Sequence, residues 1–449
     1  METSQIFKAY DVRGTYPDQL DERLAQAVGS AFGTFAQSPR IVVARDMRTS
    51  SEPLSAAFAL GARSVGVEVT DLGLASTDFL YFASGYLGVP GAMFTASHNP
   101  AQYNGIKMCL AGARPIGAES GLHEIEELTN RFYEHPSEAE LAEYATLDLT
   151  NEWVTHVHSF VDVASFRPLR IVADTANGMG GFVAPLVFEG LPFELDILYG
   201  ELDGTFPHHP ADPLNPANLV DLQARIRKTG ADVGLAFDGD ADRVFLIDEL
   251  GNPVSGSTTT AMVASVMLGR HPGATVLYNL ICSKSVPEVI EESGGVAVRT
   301  RVGHSFIKQT MAETGAIFGG EHSGHYYYRD NYRADSGIIT AFVVLELLSQ
   351  SDVPLSVLAA PFVRYASSGE INTEVASPSD VVMKVRRRLD QEGVQSDELD
   401  GLSADYGTWW FNLRASNTEP LLRLNVEDRD EASLREHVAE VVTMIKELS

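Results

Sequence analysis

Cysteine is nearly missing from this chain, with Cys109 and Cys282 the only two among 449 residues. A pair so placed builds no disulfide framework and matches neither zinc spacing nor a CxxC redox motif, so both are expected as buried, reduced thiols. Positive charge is also scarce. Against 61 Asp and Glu stand 33 Lys and Arg, a formal charge of −28, which argues against a nucleic acid or an anionic membrane as partner. Any anionic ligand must therefore be held by basic groups gathered locally. No apolar run approaches the length that spans a bilayer. The polar start Met1-Glu2-Thr3-Ser4-Gln5 has no basic region followed by an apolar core, so the expectation is a cytoplasmic protein without a signal peptide.

What is present is ordinary globular material: 44% hydrophobic residues with 38 Gly and 21 Pro, over a length that suits roughly three domains of ordinary size. From residue 1 to about 150, strand and helix signals alternate. Residues 40–44 read as an apolar strand, 45–51 as a polar turn that caps a helix following Pro53, and 67–73 as a second strand, with helical periodicity over 25–35. Such alternation argues for an α/β layer with a mostly parallel sheet, in which binding loops lie beyond the carboxyl ends of strands. The turn at Arg48 and the loop at Ser97 are then expected on one face. An acidic stretch over 134–148 reads as solvated helix and linker. The pattern restarts with a strand over 169–174 and a Gly-rich turn over 177–181 that lacks the G-x-G-x-x-G dinucleotide fingerprint. His208 and His209, in a Pro-rich loop, read as surface rather than metal ligands, because sequence neighbours diverge in space.

Two stretches carry chemistry. The first is Thr95-Ala96-Ser97-His98-Asn99-Pro100, led in by apolar residues and followed by Asn104-Gly105-Ile106-Lys107. Serine is a weak nucleophile and needs a base, a metal or prior modification for covalent work. No Gly-x-Ser-x-Gly elbow is present, and on its own the loop reads first as a turn whose Ser and Asn cap the next element. The second is Asp238-Gly239-Asp240-Ala241-Asp242-Arg243, set between the apolar runs 233–237 and 244–247. Three carboxylates at alternate positions repel one another unless a cation neutralises them, and all-oxygen ligation suits Mg²⁺ or Ca²⁺. Glu249 falls at the twelfth position from Asp238, as in an EF-hand, but the sixth is Arg243 instead of the Gly that loop requires, and the flanks are strand-like.

Further on, helix signals over 258–268, 285–292 and 306–314 alternate with strand signals over 274–278 and 296–300. They deliver His304 and the glycine-bounded Gly320-Glu321-His322-Ser323-Gly324-His325, whose donors and acceptors suit sugar hydroxyls. From about 366 strands group with helices, as in a small α+β domain. Arg414-Ala415-Ser416-Asn417-Thr418, with Arg423 after it, offers a phosphate cradle. Arg386-Arg387-Arg388 reads as a solvated helix face.

Taken together and in this order, the four loops resemble those of the α-D-phosphohexomutase superfamily, in its bacterial phosphomannomutase/phosphoglucomutase branch, over essentially the whole chain. The 95–100 stretch looks like that family's phosphoserine loop, 238–243 its metal loop, 320–325 its sugar-specificity loop and 414–418 its phosphate-binding loop, and Tyr10-Asp11-Val12-Arg13-Gly14 matches its opening. The resemblance implies three similar α/β domains with mixed sheets plus a C-terminal α+β domain around a central cleft, divided as 1–150, 151–255, 256–365 and 366–449. It further implies a phosphohexomutase with Mg²⁺ on Ser97, Asp238, Asp240 and Asp242, a phosphoryl group carried by Ser97, and a hexose 1,6-bisphosphate as intermediate and activator. Ser97, His98, Arg13, Lys107 and His304 are the expected catalytic groups; Tyr10, Arg243, Gly303, Glu321, Ser323, His325, Arg414, Ser416, Asn417, Thr418 and Arg423 are the expected substrate-binding groups. Mannose phosphates are the expected substrates, glucose phosphates a second pair, and the expected assembly is a monomer or weak dimer. A metal-dependent phosphatase and a non-catalytic sugar-phosphate-binding protein are the alternatives. Two departures stand out: Ile281 occupies a place where some relatives have a lysine, with Lys284 as candidate substitute, and Asp335-Ser336-Gly337 replaces a more usual Asp-Gly.

Overall fold

The structure is a computed structural model that describes residues 3–135, 144–415 and 421–449. Its first helix shows how the apolar spacing becomes packing. Asp21 accepts Leu24 N at 2.8 Å and starts the helix Glu22–Ala36. Leu24, Val28, Ala31 and Phe32 then recur at three- and four-residue spacing and are buried. The next helix, Ser51–Ser64, crosses it at backbone contact. A Cβ added at Gly29 would stand 2.0 Å from Phe58 O, and one at Gly61 1.9 Å from Gln26 O, so only glycine permits this approach.

Three sheets share one plan. In the first the strand order is Val12–Thr15, Tyr103–Leu110, Gly91–Phe94, Arg40–Arg45, Glu68–Leu74, Ala145–Thr146, with Arg114–Pro115 on the flank of Tyr103–Leu110. The four strands from Gly91–Phe94 onward are mutually parallel, whereas Tyr103–Leu110 runs antiparallel to both its neighbours Gly91–Phe94 and Val12–Thr15, so Val12–Thr15 has the direction of the other four. The layer is thus mostly parallel, as expected, with Tyr103–Leu110 the reversed strand. A short hairpin return places Tyr103–Leu110 antiparallel beside Gly91–Phe94, a connection that needs no crossover helix. The second sheet runs Pro253–Val254, Val244–Ile247, Val233–Phe237, Leu169–Asp174, Phe193–Leu198, and the third Val296–Thr300, Thr275–Asn279, Phe318–Gly320, Tyr326–Tyr328. Each again joins parallel strands to one antiparallel hairpin partner. Within the acidic stretch read as helix and linker, the strand Ala145–Thr146 instead extends the first sheet; residues 136–143 lie outside the described residues.

The C-terminal sheet is wholly antiparallel, in the order Ala366–Glu374, Leu421–Asp428, Trp410–Ala415, Leu402–Asp405, Gln395–Asp397. Leu413, Leu422, Leu424 and Val426 pack one face against the helices Pro378–Glu392 and Glu431–Leu448. This α+β unit has a core of its own. By contrast, one continuous core runs through all three α/β units, taking in Phe79 and Phe82, then Trp153 and Val244, then Phe318 and Phe342. Among the described residues no helix is long and apolar enough to cross a membrane, and both cysteines are buried thiols.

Candidate active site

The motif loops occupy equivalent places. Ser97 lies in the hairpin between Gly91–Phe94 and Tyr103–Leu110, the aspartates between Val233–Phe237 and Val244–Ile247, and Glu321 to His325 between Phe318–Gly320 and Tyr326–Tyr328. The fourth motif falls between the paired strands Trp410–Ala415 and Leu421–Asp428. A repeated plan thus delivers the same turn three times, and packing of the units brings the turns together.

At the first turn the strand is buried throughout, and Thr95 Oγ1 accepts Ser97 N at 2.9 Å. Ser97 itself takes a left-handed backbone, φ 49°, a region that costs a non-glycine residue energy and occurs where surroundings enforce it. Its Oγ donates to Asp238 Oδ2 at 2.7 Å and lies 3.2 Å from His98 Nδ1; Arg243 Nη2 is 3.5 Å away. Gly239 makes the approach possible, because a Cβ there would meet Ser97 O at 2.3 Å. Arg13 donates to Asn99 Oδ1 at 2.6 Å and pairs with Asp11.

All three aspartates are buried. Arg243 Nε donates to Asp238 Oδ2 at 2.8 Å, and Lys107 Nζ donates to Asp240 Oδ2 at 2.7 Å and Asp242 Oδ2 at 2.6 Å. Burial pushes Asp238 up to about 7, against the pull of Arg243 and with the push of the neighbouring carboxylates. Burial acts likewise on Asp240, but Lys107, together with Thr77 and Arg243, overcomes it and holds that carboxyl below the usual range. Those carboxylates in turn lift Lys107 well above its ordinary value in spite of burial. Asp240 Oδ1 and Asp242 Oδ1 are buried without a hydrogen-bond partner. Ligand atoms of Asp238, Asp240 and Asp242 all lie within 4.8 Å of one another. Three carboxylates facing two basic side chains, with free oxygens and no sulfur or imidazole among them, fit a hard divalent cation.

The third turn is built around Glu321. Its Oε1 accepts Asn279 Nδ2 and Gly303 N, both at 3.1 Å, and its Oε2 accepts Tyr327 OH at 2.8 Å. Ser323 Oγ lies 3.1 Å from His325 Nδ1, and His325 Nε2 3.9 Å from Asp242 Oδ1, which ties the 321–325 loop to the aspartate loop. His304 begins the helix His304–Thr314 instead of capping it; its ring meets Tyr10 edge-on at 5.0 Å, while Tyr10 OH donates to Val302 O at 3.3 Å. Burial pushes Tyr10 up to about 12, with Asp400 and Glu321 adding to it. Burial, with nearby cations, drives both His98 and His304 well below the ordinary histidine value, so both rings are neutral at pH 7.

Opposite lies the polar face of the C-terminal sheet. Arg414 and Arg423 are paired across neighbouring strands and reach Glu370 at 3.5 and 3.7 Å. With Ser323 they line a cavity of 1190 Å³ where the fourth unit faces the third and the Asp248 to Val254 edge of the second; Ser97, Asp238, Asp240 and Asp242 do not border it. Burial lowers Arg414 from its ordinary value. Ser416, Asn417 and Thr418 lie outside the described residues.

Residues 4–135, 151–251, 255–365 and 370–444 match, in turn, the three alpha/beta/alpha domains and the C-terminal domain of phosphoglucomutase/phosphomannomutase. The chain is 38% identical to a phosphomannomutase of Escherichia coli K12, over 97% of each chain. It is 39% identical to a Xanthomonas campestris protein named phosphohexose mutases, again over 97% of each. This chain belongs to the phosphoglucomutase/phosphomannomutase family. A Burkholderia thailandensis protein of the family, solved by X-ray crystallography, superposes with a TM-score of 0.91 at 31% identity, over 100% of this chain and 98% of that one. The protein is accordingly a phosphohexomutase, an isomerase of carbohydrate metabolism.

The structure places the two departures noted in the sequence. Lys284 does not replace the absent lysine at 281: its Nζ donates to Asp405 Oδ1 at 2.8 Å and Gly407 O at 3.2 Å, holding the C-terminal unit to the third. Ser336, the extra residue after Asp335, caps the helix Gly337–Ser349 and donates to Asp78 Oδ2 at 2.7 Å, while Asp335 Oδ1 sits 3.0 Å from Lys308 Nζ. His208 and His209 bond Asn177 and Asp174 within their own unit. Sequence reasoning missed Thr77, whose Oγ1 donates to Asp240 Oδ2 at 2.6 Å; a threonine after a capping serine carries no signal of that contact.

Proposed function

We propose that the protein interconverts mannose 6-phosphate and mannose 1-phosphate, with glucose phosphates as a second substrate pair, by carrying a phosphoryl group on Ser97. One observation carries this reading. A strained serine hydroxyl sits 2.7 Å from a carboxylate of a buried aspartate set whose free oxygens call for a cation. Mg²⁺ on Asp238, Asp240, Asp242 and Ser97 would supply charge to offset the developing negative charge of the transferring phosphoryl group.

The chain's own groups do the rest. In the phosphorylated enzyme the phosphoryl–Ser97 Oγ bond breaks as a hydroxyl oxygen of the bound hexose phosphate bonds to phosphorus, giving the bisphosphate; the reverse transfer from the other end returns the phosphoryl group to Ser97. The sugar hydroxyl must lose its proton in the first transfer and the product hydroxyl regain one in the second. His98 and His304 are neutral acceptors at hand for this. Arg243 and Arg13 neutralise the phosphoryl oxygens. Arg414 and Arg423, with Ser416, Asn417 and Thr418, hold the phosphate that is not transferring. Glu321 and Ser323 face sugar hydroxyls, and carboxylate and hydroxyl acceptors of this kind serve either orientation of the ring. Tyr10, Gly303 and His325 complete that wall, and Lys107 holds the aspartates. The reading divides the chain at 150, 255 and 365 and treats it as a monomer or weak dimer.

A phosphorus NMR time course on mannose 1-phosphate, and separately on glucose 1-phosphate, with Mg²⁺ and a trace of the matching 1,6-bisphosphate, tests it. Conversion to the 6-phosphate without inorganic phosphate is the expected result. Release of inorganic phosphate alone would make the protein a phosphatase.

A further inference from the structure

Arg48 lies in the turn between the strand Arg40–Arg45 and the helix Ser51–Ser64 and is 3% exposed. Among the described residues its two terminal nitrogens bond no side chain. Instead Nη2 donates to Ser97 O at 2.8 Å and Asn99 O at 2.7 Å, and Nη1 to Pro100 O at 2.9 Å and Tyr103 O at 3.0 Å. The remaining nitrogen, Nε, faces Asp46 Oδ2 at 3.2 Å, and Asp46 is itself held by Ser51 Oγ at 2.6 Å and Arg48 N at 2.9 Å. One planar fork therefore gathers four carbonyl oxygens spread across the nucleophile's hairpin. Without it those oxygens would converge on nothing, at a full desolvation penalty each. The second unit closes over the fork: the Phe206 ring lies 5.0 Å from the guanidinium carbon, and a Cβ at Gly204 would fall 2.6 Å from Arg48 Cα.

We propose that Arg48 is a positioning residue for phosphoryl transfer, setting Ser97 Oγ against Asp238 by holding the backbone of the serine loop from behind. The argument rests on Ser97 as phosphoryl carrier, the reading given above. Ser97 O sits between the fork and Gly239, where a shift of the carbonyl in one direction meets backbone and in the other loses its bond. The fork thereby holds φ at 49° and with it the direction of Oγ. A lysine keeps the charge but offers a compact ammonium with three donors in place of a planar fork. Charge alone does not restore the loop. The hairpin also has holds that do not pass through Arg48: Thr95 Oγ1 accepts Ser97 N at 2.9 Å and Arg13 donates to Asn99 Oδ1 at 2.6 Å.

The test compares wild type with Arg48→Lys and Arg48→Ala. Each protein is loaded from hexose 1,6-bisphosphate, its phosphate content at Ser97 is measured, and kcat, KM and the thermal midpoint are recorded; the alanine variant is assayed again with added guanidinium chloride at sub-denaturing concentration. The expected result is a kcat lowered roughly 100-fold in Arg48→Lys, the scale of a misplaced reacting group. KM and the circular dichroism spectrum stay close to wild type, and guanidinium partly restores Arg48→Ala. A lysine variant with wild-type kcat overturns the proposal, as does loss of activity that merely tracks loss of folded protein, or an alanine variant that guanidinium does not revive. A wild type that takes up no phosphate on Ser97 overturns the functional reading as well, whereas a phosphorylated wild type with an unaffected Arg48→Lys overturns the Arg48 proposal alone.

Discussion

Thr77 and Asp240 join two domains at the heart of the site: Thr77 Oγ1, at the start of the helix Thr77–Leu87, donates to Asp240 Oδ2 at 2.6 Å, and Thr77 N donates to Asp240 O at 3.1 Å. The first unit thus orients a carboxylate of the second that the proposed function assigns to Mg²⁺. Removing such an outer partner lowers metal affinity by about 10- to 100-fold. Thr77→Ala should show that loss in a Mg²⁺ titration of activity, with the maximal rate recovered at saturating metal.

Cation binding should depend on pH through Asp238. Its carboxyl, pushed up to about 7 by burial, holds a proton below that value, and the proton must leave before a cation binds. Apparent Mg²⁺ affinity should rise as pH increases through about 7, with proton release on binding measurable in weakly buffered solution. An affinity that is flat from pH 6 to 8 would contradict this origin.

Asp78 is a buried carboxyl with no basic partner, bonded by Ser76 and by Ser336 across the first and third units. Burial lifts it to about 7. Because the folded value exceeds that of the unfolded chain, its contribution to stability is full below the unfolded value near 3.8 and is lost as pH rises through about 7. Asp78→Asn should remove that slope between pH 4 and 7, read as the pH dependence of the thermal midpoint. The same slope in the variant would assign it to another group.

Glu321 accepts from Asn279, Gly303 and Tyr327 at once. Hydrogen bonds to a buried charge are worth about 1.5–3 kcal/mol, so Glu321→Gln should lower kcat/KM for the hexose phosphate roughly 10- to 100-fold. Divalent-cation affinity should remain as in wild type, since Glu321 is not in the aspartate set.

Much of this was legible in the sequence because it is local. The alternate aspartates at 238, 240 and 242 announce their repulsion in the spacing alone, and the helix Ser285–Glu292 and strand Val296–Thr300 fall where periodicity placed them. Non-local contacts were not legible. The Arg48 turn and the Ser97 loop do share one face, as expected from strand order, but nothing in the sequence reveals that the Arg48 fork closes on carbonyls 49 to 55 positions away, or that Lys284 pairs with Asp405. The mixed character of the three sheets was expected only through the family resemblance, and the strand Tyr103–Leu110, buried along most of its length, was not singled out, because its continuous apolar pattern carries no mark of direction.

The most direct test of the central claim is the site of phosphorylation. Incubation with hexose 1,6-bisphosphate and Mg²⁺, followed by peptide mapping by mass spectrometry, should place one phosphoryl group on Ser97, removable by hexose 6-phosphate and absent from Ser97→Ala, which should also lose turnover. Phosphate on another residue, or a Ser97→Ala enzyme that still interconverts the sugar phosphates, would contradict the account.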